Sequence, residues 1–178
     1  MKVADAVAEF LAQHVKHVFT VSGGADLHLI HAIAARKDIQ FICPQGEQGA
    51  SFAADAYARL TGMGCALATS GPGATNLITG IMASYCDSVP GLYLTANQTR
   101  DRMEAHGTRG YGFQATPICE MVKPITKWAW TENRPERVMA TLCRAVAIAQ
   151  SGRPGPVLID LPDDVQRANV PAFVSGAL

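Results

Sequence analysis

Apolar residues at the start of the chain recur at helical spacing: Val3, Val7, Phe10, Leu11 and Val15 fall on one face and predict an amphipathic helix. A short β-prone run, His17 to Val21, follows and is closed by Ser22-Gly23-Gly24. Leu27, Ile30 and Ala34 predict a second helix ending near Lys37-Asp38, and residues 39–43 a second strand stopped by Pro44. Residues 47–60 are alanine-rich and helical, with Gly62 where a C-cap belongs. The pattern then repeats, with a strand at 65–69, a Ser70-Gly71-Pro72-Gly73 loop, a helix over 74–86 and a strand at 92–96. Residues 97–113 lack periodicity and predict a long surface loop, of the kind that often carries function. Beyond it are expected a short helix at 116–122, a strand at 125–130, a helix from Pro135 to Gln150 and a last strand at 157–161.

Strands that are apolar almost throughout, alternating with helices, predict an α/β fold: a parallel sheet of about six strands with helices on both faces. The domain is expected to span residues 1–165, with 166–178 a linker or C-terminal tail. Ligands of such sheets lie beyond the carboxyl ends of the strands. The loops to watch are therefore 22–24, 44–47, 70–76 and 97–114.

Composition narrows the class. Of 178 residues, 48% are hydrophobic and 17% charged, enough to fill a core and too ordered a mixture for a disordered chain. Lys+Arg and Asp+Glu number 15 each, so the basic excess of a nucleic-acid or membrane-surface binder is missing and neither partner is expected. Apolar stretches are broken well before membrane-spanning length, and Asp5 interrupts what would be a signal peptide. The five cysteines are scattered through apolar runs without metal-ligand spacing, which reads as reduced core thiols in a cytoplasmic protein.

Among candidate chemical groups, Glu47 stands at the first turn of a helix, where the helix dipole alone favours an acid. A catalytic role there needs a ligand nitrogen that gains or loses a proton. The 70–76 loop brings backbone close to a ligand or simply makes a tight strand–helix turn, and it matches neither a Walker loop nor a dinucleotide fingerprint. His28 and His31 share a helical face but have no third metal ligand, and His106 lies in the long loop; no metal site is expected. Trp128 and Trp130 read as packing residues.

Several segments together resemble one family, the thiamine-diphosphate-dependent 2-oxo-acid enzymes of the acetolactate synthase branch. Glu47-Gln48-Gly49-Ala50, with 54–59 behind it, resembles the family's glutamate helix, and residues 69–76, Thr-Ser-Gly-Pro-Gly-Ala-Thr-Asn, match its second signature. Gly112-Phe113-Gln114, Pro124-Ile125-Thr126-Lys127 and 152–157 follow in family order. The resemblance covers about residues 1–170 and implies the pyrimidine-binding (PYR) module. It implies that Glu47 hydrogen-bonds the cofactor's aminopyrimidine, whose imino form takes the thiazolium C2 proton before attack on a 2-oxo acid. By the same resemblance Gly24 lies near the reacting carbon, and Pro72, Gly73 and Asn76 line the cofactor pocket. Phe113 and Gln114 face the substrate channel, with Gln114 counted among the catalytic residues.

The sequence departs from the family pattern in four places: Gly46 replaces a His, Val21-Ser22 a Tyr-Pro, Ala115 an acid and Asp163 a Lys. The family's diphosphate- and Mg2+-binding module is missing from these residues, so thiamine diphosphate is expected to be shared with a diphosphate-binding (PP) domain or subunit that brings the Mg2+. A homo- or hetero-oligomer acting on a small 2-oxo acid is implied; flavin stays open, since only some members hold it. The alternative is a non-catalytic regulatory or binding module that retains the PYR fold, a reading favoured by the changes at 46, 115 and 163.

Overall fold

The computed structural model describes residues 1–103 and 114–171. In chain order the elements are α1 (Val3–His14), β1 (His17–Val21), α2 (Leu27–Ala34), β2 (Gln40–Ile42), α3 (Glu47–Thr61), β3 (Gly64–Ala68), α4 (Pro72–Asn76) and α5 (Ile78–Asp87). There follow β4 (Gly91–Asn97), α6 (Arg100–Met103), α7 (Ile118–Val122), β5 (Trp128–Thr131), α8 (Val138–Gln150), β6 (Pro156–Pro162) and α9 (Asp163–Gln166). All six strands pair in parallel in the order β2-β1-β3-β4-β6-β5. This is the α/β sheet, covered on both faces, that the apolar runs predict.

The two faces differ in bulk. Side chains alternate across a strand, and one face sends Val18, Leu67, Leu92, Leu94, Val157 and Ile159 against α1, α2 and α8. The other presents Ala66, Ala68, Tyr93 and Leu158 to α3, α4, α5 and α7, which answer largely with Ala50, Ala54 and Ala74. Small residues on that side let α3 lie close to the sheet. A Cβ on Gly64 would fall 2.0 Å from the Ala54 carbonyl oxygen, and one on Gly80 of α5 would fall 2.0 Å from Ser51 Oγ of α3. A buried polar chain ties the pair down: Ser84 Oγ donates to Asp55 Oδ2 at 2.7 Å and lies 2.8 Å from the Tyr93 hydroxyl, while Arg59 bridges Asp55 and Asp87.

Several boundaries differ from the sequence reading. The single helix expected over 74–86 is two, α4 and α5, interrupted at Leu77, whose amide bonds the Ala74 carbonyl three residues back. α2 stops at Ala34, where the last apolar anchor, Ile33, has been used. Lys123–Ile125 is a 3-10 turn begun at Pro124, so β5 starts only at Trp128. Arg100–Met103 forms one helical turn inside the expected loop. Of the cysteines, Cys65 is buried as read, whereas Cys43 and Cys86 are exposed. The stretch after Pro162 forms α9, and the segment expected as a linker or tail from residue 166 returns to the N-terminus: Val3 N–H bonds Ala168 O, Val170 N–H bonds Met1 O, and Lys2 bridges Asn169.

Candidate active site

The chain leaves β1 toward one sheet edge and re-enters at β3 on β1's other side, so the loops after these two neighbours part and open a crevice beyond their carboxyl ends. α3 packs across β1 and β3 and aims its first turn at that crevice. Glu47, its first residue, follows Gly46 in extended conformation and is half-buried. Glu47 Oε2 accepts a hydrogen bond from Asn76 Nδ2 at 3.1 Å. Asn76 is the last residue of α4. Oε1 looks toward Gly73, where a Cβ would stand 3.5 Å away. One carboxylate oxygen is thus fixed and the other is left toward the crevice.

Thr69 is the pivot of the two turns that frame this carboxylate. Its Cγ2 lies 2.4 Å from the place of a Cβ on Gly23 and 2.7 Å from that on Gly73, so both positions exclude any side chain. Its Oγ1 accepts the Ala25 N–H at 3.2 Å. Gly24, by contrast, faces open space, with no atom within 4 Å of a would-be Cβ. Gly71 has φ +62 and touches the backbone of Gln114: its Cβ position is 2.7 Å from Gln114 O. Gln114 is itself at φ +58 and exposed. Pro72 occupies the first turn of α4 and is exposed.

Beneath the first turn lies an acid that sequence reasoning passed over. Asp26 is fully buried, and its Oδ1 accepts the Gly23 N–H at 2.8 Å. Burial pushes its carboxyl up to about 6; the Gly23 N–H opposes this and the charge of Glu47 adds to it. Asp160 was also missed. It is a lone acid in an otherwise apolar strand, and that isolation was the signal available in the sequence.

Glu47, Gly73 and Asn76 therefore converge as a group, with Gly24 across the crevice and Gln114 against Gly71. Phe113 and His106 lie outside the described residues. His28 approaches Asp163 at 3.5 Å. Among the described residues no group of three or more His, Cys, Asp or Glu is placed to hold a metal ion.

Residues 1–121 match the family model described as thiamine pyrophosphate enzyme, N-terminal TPP binding domain. The chain belongs to this family. It is 41% identical over 172 residues to acetolactate synthase of Arthrospira platensis, covering 94% of this chain and 29% of that protein. It is also 41% identical over 168 residues to the chloroplastic acetolactate synthase of Arabidopsis thaliana (93% of this chain, 24% of the relative). Against the acetolactate synthase large subunit of Haemophilus influenzae it is 40% identical over 171 residues, covering 93% of this chain and 28% of the relative. The chain spans about a quarter of the length of these curated relatives.

For a thiamine pyrophosphate enzyme domain, the four departures sit unevenly. Gly46 leaves open space where the family commonly has a His. Asp163 is absorbed locally, paired with His28 and with Arg167 at 3.1 Å. Ala115 is half-buried beside Gln114, and Ser22 is exposed at the rim of the crevice.

Proposed function

We propose that this chain holds the pyrimidine end of thiamine diphosphate in an acetolactate-synthase-like enzyme that decarboxylates a 2-oxo acid or joins it to a second carbonyl compound. The observation that carries this reading is the Glu47 carboxylate, with one oxygen restrained by Asn76 and the other free toward a glycine turn. The site suits a flat heterocycle: Gly23 and Gly73 keep the turns free of side chains, and Gly24 borders open space. A carboxyl group is the partner that a basic ring nitrogen requires.

Thiamine diphosphate, when bound, supplies the ring carbon that attacks the 2-oxo acid and the electron sink that lets carbon dioxide leave. Glu47 shares a proton with the ring nitrogen through its free oxygen, while Asn76 keeps the carboxylate from turning away. Pro72 and Gly73 line the pocket, Gly24 faces the reacting centre, and Gln114 borders the substrate. The diphosphate and its Mg2+ belong to a complementary domain or chain, in keeping with relatives about three to four times as long.

The test combines this chain with such a diphosphate-binding partner, thiamine diphosphate and Mg2+, and follows exchange of the thiazolium C2 proton by NMR. Glu47→Gln is expected to slow exchange by about 10²–10⁴-fold with assembly intact. Unchanged exchange in Glu47→Gln would reject the role. A complex that assembles but shows no exchange even with Glu47 present would identify the non-catalytic module that Gly46, Ala115 and Asp163 favour.

A further inference from the structure

We propose that Asp160 is a positioning residue of this site: through Asn97 it holds segment 114–116 in place against Gly71. Asp160 is fully buried in β6, in register with Thr95 of β4 on one side and Thr131 of β5 on the other. Its carboxylate takes three donors: Thr95 Oγ1 at 2.7 Å on Oδ1, and Asn97 Nδ2 at 2.9 Å with Thr131 Oγ1 at 3.2 Å on Oδ2. An apolar residue would serve the sheet at lower desolvation cost, as Leu158 and Leu161 do on the same strand. A buried acid here needs another reason.

Asn97 supplies it. A carboxylate only accepts, so the amide nitrogen of Asn97 must face Asp160, and that orientation aims its second N–H at the Thr116 carbonyl, 3.0 Å away. The amide oxygen is left to accept the Gln98 N–H at 3.0 Å. Every polar group of Asn97 is thereby used, and the choice between its two flipped orientations is made by Asp160. Gln98 adds a longer tie, Nε2 to Ser70 Oγ at 3.4 Å, to the turn that contains Gly71. Segment 114–116 needs these anchors because Gln114 sits in the left-handed region at φ +58, a conformation that costs a non-glycine residue on the order of 1 kcal/mol. Asp160 thus acts at a distance, through Asn97 and the Thr116 carbonyl, on the backbone that presents Gln114.

The inference rests on the reading of Gln114 as a substrate-facing residue, and its first test does not involve cofactor. In the chain alone, 15N relaxation gives order parameters for the Gln114, Ala115 and Thr116 amides. These are expected near about 0.85 in the natural sequence and below about 0.6 in Asn97→Ala. The exchanged pair Asp160→Asn with Asn97→Asp restores the inter-strand hydrogen bond with donor and acceptor reversed, but turns a carboxylate toward the Thr116 carbonyl. Its urea midpoint is expected to recover relative to Asp160→Asn alone while the segment stays loose. Unchanged order parameters in Asn97→Ala and in the exchanged pair would overturn the proposal. In the reconstituted enzyme, Asn97→Ala should raise KM for the 2-oxo acid about tenfold or more with C2 proton exchange unaltered. A loosened segment with unchanged KM would overturn the positioning role, whereas failure of the Glu47 test leaves the relaxation result standing.

Discussion

Two carboxyl groups, Asp26 and Asp160, spend the folded state out of water, and both are pushed up to about 6 chiefly by burial. In the unfolded chain an aspartate titrates near 3.8. The folded state therefore binds these protons more tightly, and the stability they contribute is complete below about pH 4 and lost as pH rises through about 6. Each acid accounts for on the order of 3 kcal/mol across that window. Urea unfolding at pH 5 and pH 8 should show a higher midpoint at pH 5. Asp26→Asn keeps an acceptor for the Gly23 N–H and should flatten the dependence by raising the pH 8 midpoint; an unaltered slope would show that Asp26 titrates normally. At this scale Glu47 was legible, because a helix-start acid beyond a strand end is a local pattern. Asn76, 29 residues away, was named only through the family signature as a pocket residue, and its bond to Glu47 was not legible because no local pattern links the two positions. Thr69 lay inside the same signature, yet nothing in its spacing tells that its methyl fills two glycine sites.

Among the elements, α3 and α5 bear most on the site, since α3 carries Glu47 and α5 continues from the residue after Asn76. They meet at Gly80 and Ser51, where a Cβ would lie 2.0 Å from Ser51 Oγ and 3.0 Å from its backbone carbon. Gly80→Ala is expected to destabilise by about 1–3 kcal/mol through overpacking, even though alanine is the better helix former. Gly80→Ala with Ser51→Gly should recover part of the loss, as judged by urea midpoints; no recovery would place the strain elsewhere. The sequence pattern located the elements themselves well. β3 is an unbroken apolar run and β6 is one but for Asp160, both are buried throughout, and Gly62 caps α3 at φ +89 as its position suggested. The failures have a shared cause. Leu77 and Ile125 are apolar at acceptable spacing, so periodicity ran on through the interruption between α4 and α5 and through the 3-10 turn at Pro124.

For the molecule as a whole, alternating strands and helices implied a parallel sheet, but the order of the strands was not in the pattern. That order matters most for function, because it parts the loops after β1 and β3 and opens the crevice. The helix faces were legible as apolar, whereas the contrast between a bulky side and an alanine-rich side emerged only when Ala50, Ala54, Ala66 and Ala68 proved to lie together. No helix among the described residues is long and apolar enough to cross a membrane.

The Met1 amine donates to Val170 O at 3.0 Å while Val170 N–H returns a bond to Met1 O at 2.9 Å. Closing this gap with a few glycines and cutting instead at the exposed Lys37-Asp38 turn would yield a permuted polypeptide whose new ends lie between α2 and β2. Such a ring-and-cut variant, ending its original tail at Val170, should keep the parent's circular dichroism and melt within a few degrees of it, about 1 kcal/mol of stability. Loss of the cooperative melt would mean that the bonds between Met1 and Val170 do not persist in solution.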